Sequence, residues 1–197
     1  MSRLIETVRY AEGRVQNFDY HLRRMQDSSQ AIFGDTLRWN PKDLVWRIEL
    51  PGNDVYKIRI VYGYTEGSAT TEPYTIRPVR SLKLVLDNNI MYDHKFENRS
   101  RLEELVAQRG DCDDILIVKN GLVTDVSYAN IVFRKDGKWF TPDSFLLNGT
   151  MRQWLLDTGK ISERTITVDD IRQYSHFKLI NAMLCEDAPA SEVLNIR

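Results

Sequence analysis

Four stretches of this 197-residue chain hold side chains that could do chemistry together. Arg24 ends a His-x-x-Arg run, His21-Leu22-Arg23-Arg24, and Lys95 opens Lys95-Phe96-Glu97-Asn98-Arg99 just ahead of a predicted helix. Asp125 closes a strand leaving an Asn-Gly hairpin, and Asn148-Gly149-Thr150 reads as a loop running into a helix start. Singly, each has an ordinary explanation: a helix's solvent face, a solvated lysine, a turn carboxylate, a helix cap. In this order they form a set for anion and amine chemistry. A helix N-terminus with open N–H groups binds phosphate, and a positioned Arg adds a bidentate partner. A lysine can form a Schiff base with a carbonyl cofactor, and a carboxylate can keep a pyridine nitrogen protonated. These are the parts a pyridoxal phosphate enzyme needs.

Composition removes several other classes. The chain has 27 Lys plus Arg against 28 Asp plus Glu, a net charge of −1, with both signs mixed throughout. A nucleic-acid binder would carry a basic patch, so none is expected. Four Trp, nine Tyr and seven Phe argue against disorder. Cys112 and Cys185 stand far apart, and His21, His94 and His176 are scattered, so neither a disulfide framework nor a metal site is expected. No apolar leader or membrane-spanning stretch is visible, so the expectation is a soluble cytoplasmic protein acting on a small molecule.

The positioning elements follow from pattern. Leu4–Tyr10 alternates as a strand and turns at Glu12-Gly13. A helix capped by Asp19 is predicted to about Ile32, with Leu22, Met25, Ser29 and Ile32 at helical spacing and Gly34 as its stop. Asn40-Pro41 opens a short helix through Trp46. Strands are predicted over Tyr56–Tyr64, Thr71–Val79 and Leu82–Leu86, then a helix over Arg99–Gln108. Asn120-Gly121 and Asp136-Gly137 mark two hairpins, Ile115–Val118 with Leu122–Asp125 and Ile131–Arg134 with Trp139–Thr141. A helix from Thr150 to Gly159, a strand over Thr165–Val168, a short helix capped by Asp169 and an apolar segment Leu179–Leu184 complete the chain. Hairpins outnumber βαβ units, so the expected class is α+β with mostly antiparallel sheets in two lobes, 1–80 and 81–197.

Six motifs, in order from Ile5 to about Pro189, resemble those of class IV aminotransferases, the family of branched-chain and D-amino acid aminotransferases and 4-amino-4-deoxychorismate lyase. Ile5-Glu6-Thr7-Val8-Arg9 is similar to the family's opening strand, and the His21–Arg24 run to the helix whose Arg holds the cofactor phosphate. Lys95-Phe96-Glu97-Asn98-Arg99 resembles the lyase branch's lysine motif. Val123-Thr124-Asp125 through Asn130 resembles the run whose Glu pairs with the pyridine nitrogen, with aspartate here one methylene shorter. Asn148-Gly149-Thr150-Met151-Arg152-Gln153 and Ile180-Asn181-Ala182-Met183 resemble two phosphate-binding turns. In the first, Thr150 comes one position early and Met151 takes the usual Thr slot. In the second, Ala182 and Met183 bring no hydroxyl, which leaves backbone N–H groups to bind the phosphate. The sequence starts at the first of these motifs, so the family's preceding strand has no counterpart in it.

The resemblance implies a D-amino acid aminotransferase-like fold with a β pseudo-barrel in the larger lobe, a homodimer, and pyridoxal 5'-phosphate held between the lobes. It makes Lys95 the catalytic residue. Arg24, Lys95, Asp125, Asn130, Gly149, Thr150, Met151, Ala182 and Met183 become the cofactor residues, and Arg9, Arg59, Tyr92 and Arg99 the candidates for substrate. The motif forms lean towards the lyase, which releases pyruvate and 4-aminobenzoate, while Arg59 leans towards a transaminase with Tyr62, Tyr64 and Phe96 as an apolar wall. A degenerate cofactor-binding protein without activity is the third reading.

Overall fold

The computed structural model describes residues 3–52, 54–185 and 188–197. The chain forms two compact units: one comprises the chain up to Ile76 together with His94–Asn98, the other Arg77–Asp93 together with Arg99–Arg197. The Lys95 segment therefore folds with the first unit.

The first unit contains β1 (Leu4–Ala11), β2 (Arg14–Val15), α1 (Phe18–Phe33), α2 (Pro41–Val45), β3 (Tyr56–Tyr62) and β4 (Gly67–Pro73). Its sheet runs β2-β1-β3-β4, antiparallel throughout. Glu12 and Gly13, with φ of 55° and 72°, make the tight turn that their sequence requires. Leu4, Val8 and Tyr10 on β1 and Ile58, Ile60 and Tyr62 on β3 share one face, which packs with Phe18 and Met25 of α1. The helix begins two residues earlier than predicted. Asn17, at φ 54°, is its N-cap, and Asp19 lies within the first turn, where its charge suits the helix dipole. Gly34, at φ 76°, ends it by donating its N–H to Gln30 O at 3.0 Å.

The strand predicted over Thr71–Val79 is displaced to Gly67–Pro73. Register decides this: Tyr62 faces Gly67 and Tyr56 faces Pro73, so β4 ends where β3 does. The returning segment His94–Asn98 runs along β1. Phe96 bridges Leu4, Ile5 N–H donates to Lys95 O at 2.9 Å, and Glu97 N–H donates to Arg3 O at 2.9 Å.

The second unit holds β5 (Leu82–Leu86), α3 (Ser100–Val106), β6 (Asp114–Lys119), β7 (Leu122–Val126), β8 (Asn130–Lys135), β9 (Lys138–Pro142), α4 (Thr150–Asp157), β10 (Ser162–Arg164), β11 (His176–Ile180) and β12 (Ala190–Glu192). Both predicted hairpins form. Asn120 and Gly121 have φ of 53° and 78°, and Asp136 and Gly137 of 51° and 76°, the left-handed pair that a two-residue hairpin demands. Strands pair as two open sheets, β5-β6-β7 and β10-β9-β8-β11-β12. Among the described residues no barrel closes, which corrects the pseudo-barrel expected for this unit. The predicted strand Thr165–Val168 is also corrected. The strand is Ser162–Arg164, parallel to β9, and Thr167 keeps only an isolated bridge to Leu122 because Asp170 takes its N–H at 3.0 Å. The short helix predicted after it is a 3-10 turn, Asp169–Gln173, with Val168 rather than Asp169 at its cap position.

Candidate active site

In the first unit the apolar face of β1 is interrupted by Glu6, which is wholly buried between Leu4 and Val8. Helix α1 meets it with a polar stripe. His21, Arg24 and Ser28 recur at helical spacing on one side, so all three turn towards the sheet. Arg24 grips the carboxylate with two bonds, Nε to Oε1 at 2.8 Å and Nη2 to Oε2 at 2.6 Å. His21 Nδ1 lies 2.6 Å from Oε2. Burial alone would raise the Glu6 pKa, but the Arg24 charge and the bonds from His21 and Arg24 outweigh it and hold the carboxyl at about 2. Burial pushes His21 the other way, below its ordinary value, against the pull of Glu6, and the Arg24 and Lys95 charges add to that. The ring is thus neutral at pH 7 and its Nδ1–H donates to the carboxylate.

The same polar seam reaches the Lys95 segment. Buried Ser28 bonds Tyr62, whose phenol is raised well above its usual range, chiefly by burial. His94 Nδ1 lies 3.2 Å from Ser28 Oγ, so the residue preceding Lys95 is tied to α1. Lys95 itself is half-buried.

The second unit carries a different carboxylate. Asp125, on β7, is buried and accepts from Leu147 N–H at 2.9 Å, Leu146 N–H at 3.0 Å and Asn130 Nδ2 at 2.7 Å. Burial dominates here. It raises the pKa to about 6, although these bonds and the charge of Arg152 pull it down. Asn130 also donates to Leu147 O at 2.9 Å. Gly149 caps α4 against this amide so closely that a Cβ would come within 2.0 Å of Asn130 Oδ1. Thr150 and Met151 begin α4, both buried, and the Met151 side chain packs with Val132, Leu155, Ile161 and Ile180. Arg152 was quoted in its motif without a role. It is 2% exposed, donates to Glu163 Oε1 at 2.5 Å, Pro142 O at 3.1 Å and Asn148 Oδ1 at 3.3 Å, and stacks 4.2 Å over Phe145. It braces the turn that leads into α4.

At the Asn181–Leu184 turn, Asn181 Oδ1 accepts the N–H groups of Met183 at 2.8 Å and Leu184 at 2.9 Å. The Met183 N–H counted towards phosphate is therefore already engaged, while Ala182 sits at the tip of the turn.

The substrate candidates are divided between the two units. Arg59 faces Thr7 across the sheet and pairs with Glu97 at 3.2 Å, and Arg9 lies beside them on β1 opposite Lys57. Arg99 belongs to the second unit and ties down Ser127 O at 2.6 Å. Tyr92 packs beside Val85, Ile90 and Leu105 of the second unit. Of the suggested wall, Tyr62 and Phe96 belong to the first unit's core, and Tyr64 bonds Asp35 at 2.6 Å. Glu6 and His21 stood in quoted motifs with no role attached. The signal available was a carboxylate at an inward position of β1, opposite two polar residues spaced three apart on α1.

The family model for amino-transferase class IV matches residues 3–186. The chain belongs to the class IV aminotransferase family. This member is 39% identical over 183 residues to an uncharacterized protein of Haemophilus influenzae, covering 91% of this chain and 97% of that one. A crystal structure from Haemophilus somnus, described as a "putative 4-amino-4-deoxychorismate lyase", superposes with a TM-score of 0.86 at 34% identity, over 93% of this chain and 97% of the other. The PLP-bound form of a hypothetical aminotransferase from Mycobacterium tuberculosis shares the class IV fold at a TM-score of 0.75 and 18% identity, over 96% and 80% of the two chains. No helix among the described residues is long and apolar enough to cross a membrane.

Proposed function

We propose that this class IV family member is a pyridoxal 5'-phosphate enzyme acting as a 4-amino-4-deoxychorismate lyase. One observation carries the cofactor reading. A carboxylate offers about four lone-pair sites, and among the described residues Asp125 uses three, on donors that are all neutral. A buried carboxyl held this way, titrating at about 6, has room for one more N–H donor and gains most from a charged one. A protonated ring nitrogen is such a donor. The N-terminus of α4, which Gly149 caps, suits a phosphate approaching backbone N–H groups.

When bound, the cofactor supplies an electron sink for the bond to be broken at the substrate. Asp125 holds the proton on the ring nitrogen. Lys95 Nζ takes and returns the substrate proton as general base and acid. Arg24 and the N–H groups of the Thr150 and Ala182 turns bind the phosphate, and Asn130 and Met151 shape the surroundings of Asp125 and the turn. Arg9, Arg59, Arg99 and Tyr92 remain the candidates for substrate carboxylates. A homodimer is the proposed assembly.

The motif forms and the names carried by two relatives support the lyase. The second of these, from Schizosaccharomyces pombe, is called a "Putative aminodeoxychorismate lyase" and is 28% identical over 82% of this chain and 76% of its own length. Transamination is the second reading, favoured by Arg59 on the same sheet face as Thr7 and Arg9. Purified protein should show a near-visible absorbance band that borohydride abolishes, with the label mapping to Lys95. It should release pyruvate from aminodeoxychorismate. Absence of the band would leave a non-catalytic relative, and turnover of ordinary amino acids without pyruvate release would make it a transaminase.

A further inference from the structure

We propose that Glu6 and His21 are positioning residues that hold the Arg24 guanidinium in one orientation for a phosphate group. The inference rests on the cofactor reading above, which gives Arg24 the phosphate. Its own footing is the buried geometry of the first unit. A buried ion pair is weak evidence for stability, because apolar residues of similar volume usually do as well or better. Glu6 stands on the face that Leu4, Val8 and Tyr10 fill with apolar side chains, so the core does not need a charge there. What the carboxylate does provide is direction. It takes Nε and Nη2, one edge of a rigid planar group, and once one edge is fixed the direction of the other is fixed with it. Arg24 is 11% exposed while Glu6 is fully enclosed, so the carboxylate lies behind the guanidinium and the guanidinium lies nearer the surface.

His21 completes the clamp. Its Nδ1–H donates to Oε2, the oxygen that also receives Arg24 Nη2, so the carboxylate cannot swing away from the arginine without breaking a second bond. His21 and Arg24 stand three residues apart on α1, and the clamp fixes the helix face as well as the side chain. An amide at position 6 would undo this. With its oxygen towards Arg24 Nε, its NH2 would meet two donors, Arg24 Nη2 and His21 Nδ1–H, and no flip of the amide satisfies all three.

The test compares affinities for pyridoxal 5'-phosphate and for pyridoxal, which lacks the phosphate, using the full chain stripped of bound cofactor. Binding is followed by absorbance and by borohydride trapping. The readout is the ratio of the two affinities, since general loosening of the fold weakens both ligands together. Glu6→Gln should lower the wild-type ratio by roughly tenfold, the scale of one charge-assisted hydrogen bond. His21→Asn should lower it by a smaller factor, and Arg24→Ala should lower it most. Should Glu6→Gln not fold, Glu6→Asp keeps the charge but cannot span both contacts, and it should lower the ratio in the same direction. A ratio that falls for Arg24→Ala but not for the Glu6 variants would overturn the clamp and leave the cofactor reading standing. A ratio that rises for Glu6→Gln would also overturn it, because Glu6 would then only be neutralising Arg24. Wild-type protein that traps neither ligand would sink the cofactor reading and the clamp with it.

Discussion

Glu6 in the first unit and Asp125 in the second are both enclosed carboxyl groups on β-strands, yet one is held at about 2 and the other at about 6. Burial raises the pKa of both. The difference is the company. Glu6 touches a guanidinium through two short bonds, so a full positive charge offsets its desolvation. Asp125 touches two backbone amides and one side-chain amide, and Arg152, whose charge pulls on it, is turned to Glu163, Pro142 O and Asn148. Dipoles orient a buried carboxylate, but a charge in contact is what keeps it ionised. The first unit gives its carboxylate a counter-ion in contact; the second holds its carboxyl on neutral donors.

The largest effect should come from breaking the first arrangement. Glu6→Ala strands the Arg24 guanidinium over a void and should destabilise the protein by about 3–5 kcal/mol in denaturant unfolding, the scale for removing one partner of a buried pair. Next is the acid limb. The folded Glu6 value lies below its unfolded 4.5, so its contribution, about 3 kcal/mol, is complete above that pH and is lost as pH falls towards 2. His21, depressed from 6.5, adds a loss that begins as pH falls below that value. Below pH 4.5 the unfolding free energy should fall as pH is lowered, and Glu6→Gln should flatten that part of the curve.

Asp125 should behave with the opposite sign. Its folded value is raised above 3.8, so the native state holds a proton that the unfolded chain has released, and stability falls as pH rises from 3.8 towards 6. Asp125→Asn abolishes that fall. Relative to wild type, the variant should gain up to about 3 kcal/mol between pH 4 and 7 in the same unfolding assay. A constant difference across that range would mean that Asp125 is not held near 6. The smallest effect should be Gly149→Ala. Its new methyl must displace Asn130, which costs Asp125 a donor, and about 1–3 kcal/mol of stability should be lost with it.

What was legible in the sequence follows the range of the interactions. The Asn120-Gly121 and Asp136-Gly137 hairpins were readable because the turn residues dictate their own φ. The same is true of Gly34 as the stop of α1. The strand placed at Thr71–Val79 was misread because β4 is bounded by pairing with Tyr56–Tyr62, which no local pattern encodes. Thr165–Val168 failed for a similar reason, since Asp170 recruits Thr167 into a turn. The family could be read from ordered motifs, and Asp125, Asn130, Gly149 and Thr150 are gathered in one unit. The meaning of Glu6 could not be read, because its partners lie 15 and 18 positions away and the bond lengths between them carry the message. Nor could the engagements of Arg59 with Glu97 and of Arg99 with Ser127 O, which span 38 and 28 positions.

The His94–Asn98 excursion has a mechanical corollary. The polypeptide passes from one unit to the other three times, after Ile76, after Asp93 and after Asn98. Two bodies joined by one tether part at a single nick, whereas here cleavage in the 77–80 stretch leaves two tethers intact. A gene fragment ending near residue 80 would, conversely, lack the rung that Phe96 forms with Leu4 and would leave β1 with a raw edge. Cutting this chain and reassembling it from its halves should therefore require that residues 94–98 travel in trans and find β1 again.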